Sequence, residues 1–182
     1  MIEPEEKEFD LKALGARVVQ QREHLVQEKR QTLEWPPPAD EPVVVRSDAG
    51  LIEQVLDNVI CNAVKFTPLD GKIAVEMSTD AAMVCVIVAD DGPGIPEAAR
   101  SRLFTQFGRI GSTPTAGEDS HGQGLAIARG LAEALGGRLD LVAGGHRLRR
   151  ACFEFRVPRN PSTSDGHQTV SNREMGQRND IV

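Results

Sequence analysis

The strongest chemical signal in the chain is Asn58, Asn62 and Lys65, spaced i, i+4 and i+7 on a segment that reads as a helix. At about 100° per residue, Ile52, Leu56, Val59 and Ala63 make one apolar stripe, and the three polar residues fall in a narrow arc beside it. Two amide oxygens and an ammonium then project toward one point. An amide oxygen is a hard neutral ligand suited to Mg2+, and a lysine ammonium neutralises phosphate oxygens. By itself the N-x-x-x-N-x-x-K pattern also fits a solvated helix face.

Two loops add to it. Asp90-Asp91-Gly92-Pro93-Gly94-Ile95-Pro96 follows an apolar run. Asp90 at a strand end, with glycines at +2 and +4, offers a fixed acceptor beside backbone that a planar ring can approach, which is what an adenine amino group needs. An ordinary Asp-Gly and Pro-Gly turn has the same composition. Ser120-His121-Gly122-Gln123-Gly124-Leu125 opens a helix. Unpaired amides at such a start bind phosphate, and glycines let the anion approach. No Gly-Lys-Ser/Thr follows, so it is not a Walker loop.

These residues need elements to hold them. Helical periodicity runs from Asp10, placed to cap, to about Gln31 through Leu11, Leu14, Val18, Val19 and Leu25. Leu33 to Trp35 and Val43 to Val45 read as short strands around Pro36-Pro37-Pro38. Ser47 or Asp48 caps the second helix, about Gly50 to Lys65. Lys72 to Ser78 and Met83 to Ala89 form a hairpin across Thr79-Asp80, and the second strand, apolar throughout, is expected at the centre of a sheet. A short helix over Glu97 to Phe104, an aperiodic and mobile Gly108 to Gly122, a helix over Gly124 to Leu135 and strands at Arg138 to Val142 and Cys152 to Val157 complete the pattern. Hairpins rather than regular βαβ alternation predict an α/β two-layer sandwich, a mixed and mostly antiparallel sheet with helices on one face. The expected organisation is an N-terminal segment and first helix (1–31) belonging to the same domain as 32–158, followed by a disordered tail (159–182), polar and poor in apolar residues.

Composition closes off other classes. The chain has 182 residues, 40% of them apolar, enough for one domain with one core, and with no Tyr and one Trp that core is aliphatic. A formal charge of −6 argues against non-specific nucleic-acid binding; the one basic cluster, Arg147 to Arg150, is short. The longest apolar run, Ala81 to Ala89, is about half of a bilayer crossing, and Met1-Ile2-Glu3-Pro4-Glu5-Glu6 is acidic where a signal peptide is basic. A soluble, cytoplasmic domain without membrane contact is expected. Cys61, Cys85 and Cys152 form no C-x-x-C pair and read as reduced core residues, and His24, His121, His146 and His167 have no metal-site spacing.

The order and spacing of these pieces resemble the ATP-binding catalytic domain of sensor histidine kinases, over roughly Phe9 to Pro158. Asn58 to Thr67 resembles that family's N box, with Asn62-Ala63-Val64-Lys65-Phe66-Thr67-Pro68 very close. Asp90 to Pro96 is similar to its G1 box, Leu103 to Arg109 to its F box and Gly122 to Ile127 to its G2 box. Phe153-Glu154-Phe155-Arg156-Val157-Pro158 resembles its last strand. The resemblance implies that Asn62 ligates Mg2+ while Asn58 and Lys65 hold the triphosphate of ATP. Asp90 would accept from the adenine amino group, with Gly92 and Gly94 admitting the base beside Ile95. Phe104 and Phe107 would brace a lid over Gly108 to Ser120, with Arg109 either on phosphate or solvated. The amides near Gly122, Gly124 and Leu125 would meet the phosphates. The family often has a threonine before the final Phe that reaches adenine through water, a position that Cys152 occupies in this chain; Ser120, Gln123 and Gly144-Gly145-His146-Arg147 are further departures.

Related ATPases of the gyrase, chaperone and mismatch-repair type carry a glutamate one turn before the metal-binding asparagine to activate water. In this chain that residue is Asn58, and an amide takes no proton. Glu53, nine residues before Asn62, lies half a turn round the helix. Transfer to a neutral imidazole needs positioning and charge neutralisation more than a base. The resemblance therefore implies γ-phosphate transfer to a histidine in two-component signalling, with a response regulator downstream. None of the four histidines stands in the family's phosphoacceptor context, so the acceptor domain is expected elsewhere in a longer chain or in trans. A nucleotide-gated interaction module and an anti-sigma-factor-type serine kinase are the alternatives, with an ATP-driven clamp a third that Asn58 disfavours.

Overall fold

A computed structural model of the chain describes residues 3–36, 41–105, 123–142 and 151–160. The tail beyond residue 160 and the segment 106–122 lie outside the described residues. The first strand, β1 (Lys7–Asp10), has no hydropathy signature of its own; it pairs antiparallel with β3 (Val44–Ser47), Phe9 opposite Val45. Helix α1 (Leu11–Glu28) begins where the Asp10 carboxylate accepts from the Lys12 amide at 3.0 Å, and buries Leu11, Leu14, Val18 and Val26. It stops short of Gln31, because Arg30 takes a left-handed conformation, φ 50°, that no helix continues through.

Strand β2 (Thr32–Glu34) leads by way of β3 into α2 (Ala49–Phe66). Asp48, not Ser47, caps α2, its Oδ1 accepting from the Leu51 amide at 3.0 Å and its Oδ2 from the Glu5 amide at 2.8 Å. Strands β4 (Lys72–Thr79) and β5 (Met83–Asp90) form the expected hairpin. The next helix, α3 (Glu97–Arg100), is shorter than its sequence suggests. Beyond it, the amides of Arg102, Leu103 and Thr105 each reach back three residues to a carbonyl, and buried Leu103 pins these tight turns to the core.

Helix α4 (Gly124–Ala134) ends in a Schellman turn: Gly136, φ 71°, donates to Glu133 and Gly137 to Ala132. Strands β6 (Arg138–Leu141) and β7 (Ala151–Pro158) complete a five-stranded sheet of order β2-β4-β5-β7-β6. Of these five strands only β2 runs parallel to its neighbour; β5 is central, as its apolar run predicts. Val84, Val86 and Val88 of β5 and Phe153, Phe155 and Val157 of β7 join one core with the helices, giving the expected two-layer sandwich. The alternate residues, Cys85, Ile87, Glu154 and Arg156, lie on the opposite sheet face. All three cysteines are free, but only Cys152 is buried; Cys61 and Cys85 are half-buried rather than core residues.

Candidate functional site

Burial of Ile52, Val55, Leu56, Val59, Ile60, Ala63 and Val64 sets the rotation of α2 and so the direction of its polar flank. The two acidic residues within the helix face α1. Asp57 takes both guanidinium branches of Arg22 (2.8 Å to Nε), and Glu53 accepts from Gln21 at 3.5 Å. The flank with Asn58, Asn62 and Lys65, all half-buried, turns instead toward α4 and the loop after β5.

Asn58 donates its Nδ2 to the Gln54 carbonyl at 2.8 Å, one turn back, which leaves Oδ1 pointing away. That oxygen lies against the start of α4: a Cβ built on Gly124 would stand 2.8 Å from it. Asn62 makes no side-chain hydrogen bond to any described residue, so its amide is available to a ligand.

Strand β5 carries Asp90 to the far end of α2. Asp90 is 2% exposed, and its Oδ1 accepts from the Gly92 amide at 2.8 Å. A Cβ on Gly92 would fall 2.5 Å from that oxygen and 3.1 Å from the Phe66 carbonyl, so the loop lies on the last turn of α2 with no room for a side chain. Gly94, φ 76°, makes the left-handed turn that releases the loop, and Ile95 packs against the core.

The strand register moves one expectation. Asp90 stands opposite Ala151, and Cys152 opposite Ala89. Alternation puts Ala151 on the helix side with Asp90 and turns Cys152 to the other sheet face. The position beside the aspartate is therefore Ala151, a methyl group, and Cys152 takes no part.

Phe104 meets Phe153 edge to face, centroids 6.5 Å apart, and the Arg129 guanidinium covers the Phe104 ring at 4.6 Å. Arg129 sits in an otherwise ordinary helix, and nothing in its spacing singles it out. Gln123 precedes α4 without a side-chain cap, so the first amides of that helix have no side-chain partner from it. Leu125 buries its side chain in the core and offers the site only backbone. Phe107, Arg109, Gly122 and the 108–120 segment lie outside the described residues.

Asn58 of α2 thus lies against the start of α4, while Phe66, in the last turn of the same helix, lies against Gly92 beside buried Asp90. Residues 47–161 match the family described as histidine kinase-, DNA gyrase B- and HSP90-like ATPases. The chain belongs to this family. Its relatives in the family include the adaptive-response sensory kinase SasA of Synechococcus sp. (strain CC9311), 35% identical over 151 residues, which are 82% of this chain and 38% of that protein. The sensor protein CreC of Escherichia coli (strain K12) is 38% identical over 133 residues, 72% of this chain and 27% of that one. The chain thus spans well under half the length of these relatives. Its fold matches the catalytic domain of histidine kinase ThkA with a TM-score of 0.70 at 27% identity, covering 86% of this chain and 99% of that domain. It also matches full-length ShkA in complex with AMPPNP, TM-score 0.69 at 31% identity, covering 86% of this chain and 32% of that one. This ATPase-family chain is a catalytic domain of the histidine-kinase type. Among its described residues no helix is long and apolar enough to cross a membrane.

Proposed function

We propose that this domain binds ATP with Mg2+ and transfers the γ-phosphate to a histidine of a phosphoacceptor domain, in cis or in trans, for relay to a response regulator. The observation that carries the reading is the meeting of three sequence-distant pieces on one flank of α2: Asn58 against Gly124, and Phe66 against Gly92 beside buried Asp90. Adenine belongs at the Asp90 end, where the carboxylate accepts its amino group and Gly92 and Gly94 admit the ring. The phosphates belong along the flank, with Lys65 neutralising charge and Asn58 and the α4 amides near Gly124 and Leu125 orienting oxygens. In the same reading, carried over from the family's motifs, Phe107 braces the lid and the Gly122 amide serves the phosphates.

The donors fit magnesium carried in by a nucleotide. Among the described residues no three His, Cys, Asp or Glu side chains gather to hold an ion unaided. Asn62 contributes one neutral oxygen, leaving the other positions to phosphate and water, the coordination Mg2+ favours. When bound, the ion would neutralise charge on the transferring phosphate.

Where the carboxylates of α2 point supports transfer over hydrolysis. Glu53 and Asp57 are held by α1, and the flank facing α4 presents amides and an ammonium, none of them a base for deprotonating water. A neutral imidazole needs none. Such a domain works in the cytoplasm, where ATP and response regulators are found.

The test adds γ-labelled ATP and Mg2+ to this chain with a separately made dimerisation domain. Label on that domain's histidine is the expected result. Tight nucleotide binding with no label on the histidine would favour the interaction module.

A further inference from the structure

The turn joining α1 to β2 grips the end of α2. Lys29, 2% exposed, donates its ammonium to the carbonyls of Val64 at 2.5 Å and Lys65 at 3.0 Å. Gln31, 7% exposed, donates Nε2 to Val64 at 3.1 Å and Thr67 at 2.7 Å. Between them Arg30 pairs with Asp70 through two hydrogen bonds of 2.7 and 2.8 Å, and the Asp70 amide returns to the Lys29 carbonyl at 3.1 Å. Both Arg30 and Asp70 adopt left-handed backbone, φ 50° and 61°, a conformation that non-glycine residues keep only where their surroundings enforce it.

The last carbonyls of a helix have no partner within it. Lys29 and Gln31, from another element, supply partners to those of α2, and the charged donor of the two is buried, where an ammonium without such acceptors would be costly. What they hold is the turn that matters to the nucleotide: Lys65 lies on the flank facing α4, and the Phe66 carbonyl is the surface on which Gly92 rests.

We infer that Lys29, assisted by Gln31, is a positioning residue of the nucleotide site. By fixing the carbonyls of Val64 and Lys65 it sets the last turn of α2, and with it the direction in which the Lys65 ammonium leaves the helix. Lys29 acts through Lys65 and not on the nucleotide. The inference rests on the nucleotide reading of Asn58, Asn62 and Lys65.

The test is a double-mutant cycle, titrating AMPPNP with Mg2+ calorimetrically into the 182-residue chain. Lys29→Met is expected to weaken binding about tenfold when Lys65 is present and less than about twofold in a Lys65→Ala background, because a residue acting through another has little left to act on once that other is gone. An equal loss in both backgrounds, the mark of a merely structural role, would overturn the inference, as would no loss in either. Should Lys29→Met not fold, Gln31→Leu takes its place in the cycle with the same expectation, since it keeps the Lys29 bonds to the Val64 and Lys65 carbonyls and removes only the Gln31 bonds to Val64 and Thr67. A wild-type chain that does not bind AMPPNP, or a Lys65→Ala chain that binds like wild type, would defeat the nucleotide reading and this inference with it. Wild-type binding that Lys65→Ala weakens, with a Lys29 effect indifferent to Lys65, would defeat the positioning role alone.

Discussion

A methyl group added at Gly124 meets the Asn58 carboxamide oxygen at 2.8 Å, inside any real contact distance. The obstacle is the end of a side chain, so Asn58 can swing aside and the fold survives. Gly124→Ala is therefore expected to lower AMPPNP affinity on the order of tenfold, roughly 1.4 kcal/mol, with no fall in thermal midpoint; calorimetry beside thermal denaturation checks both. Asp90→Asn separates base from phosphate. It keeps an oxygen for the Gly92 amide but replaces an acceptor with a donor where adenine would meet it. ATP should weaken by about tenfold or more while inorganic triphosphate changes little, and equal losses would remove adenine from this end of the site. The polar flank of α2 was legible because helical spacing converts three positions into one direction. The residue beside Asp90 was not: a shift of one position along β7 exchanges Ala151 for Cys152, and only the cross-strand register decides it.

Elements with their own period, α2, α4 and the β4–β5 hairpin, could be read from local pattern. Strand β1 could not, since Lys7-Glu8-Phe9-Asp10 becomes a strand only by pairing with β3, more than thirty residues away. The turn at Lys29 to Gln31 was equally opaque. A lysine in a charged stretch looks like surface until the carbonyls it holds are brought to it. At this scale Asp48→Ala should cost about 1 kcal/mol of stability, the usual value of an N-cap, measured by urea denaturation. Glu154, on the sheet face away from the helices, is held below its ordinary 4.5 by the Arg156 hydrogen bond, with partial burial opposing. A depressed carboxyl contributes stability that is whole above 4.5 and is lost as pH falls through the lower folded value. Glu154→Gln should therefore flatten the acid limb of a stability–pH profile, and a limb of unchanged steepness would show that other carboxylates set it.

Across the whole molecule, one core carries both layers. Phe153, 1% exposed, packs between the sheet and the helices and receives Phe104 on its edge. Phe153→Ala should cost about 3–5 kcal/mol, a large part of a typical domain's roughly 5–15, and remove the ring against which Phe104 packs. The aliphatic core and the two-layer class follow from composition and the alternation of helix and strand periods. That Asn58 meets Gly124, and that Gly92 beside Asp90 meets the last turn of α2, is a property of the folded chain alone. The central claim, that this flank of α2 grips a magnesium nucleotide through Asn62, is tested most directly by titrating AMPPNP into wild-type and Asn62→Ala chains with Mg2+ and again with EDTA. Wild-type binding should be strongly Mg2+-dependent, and the variant should bind equally weakly in both conditions. No heat from the wild type, or a variant that keeps the full Mg2+ dependence, would contradict the account.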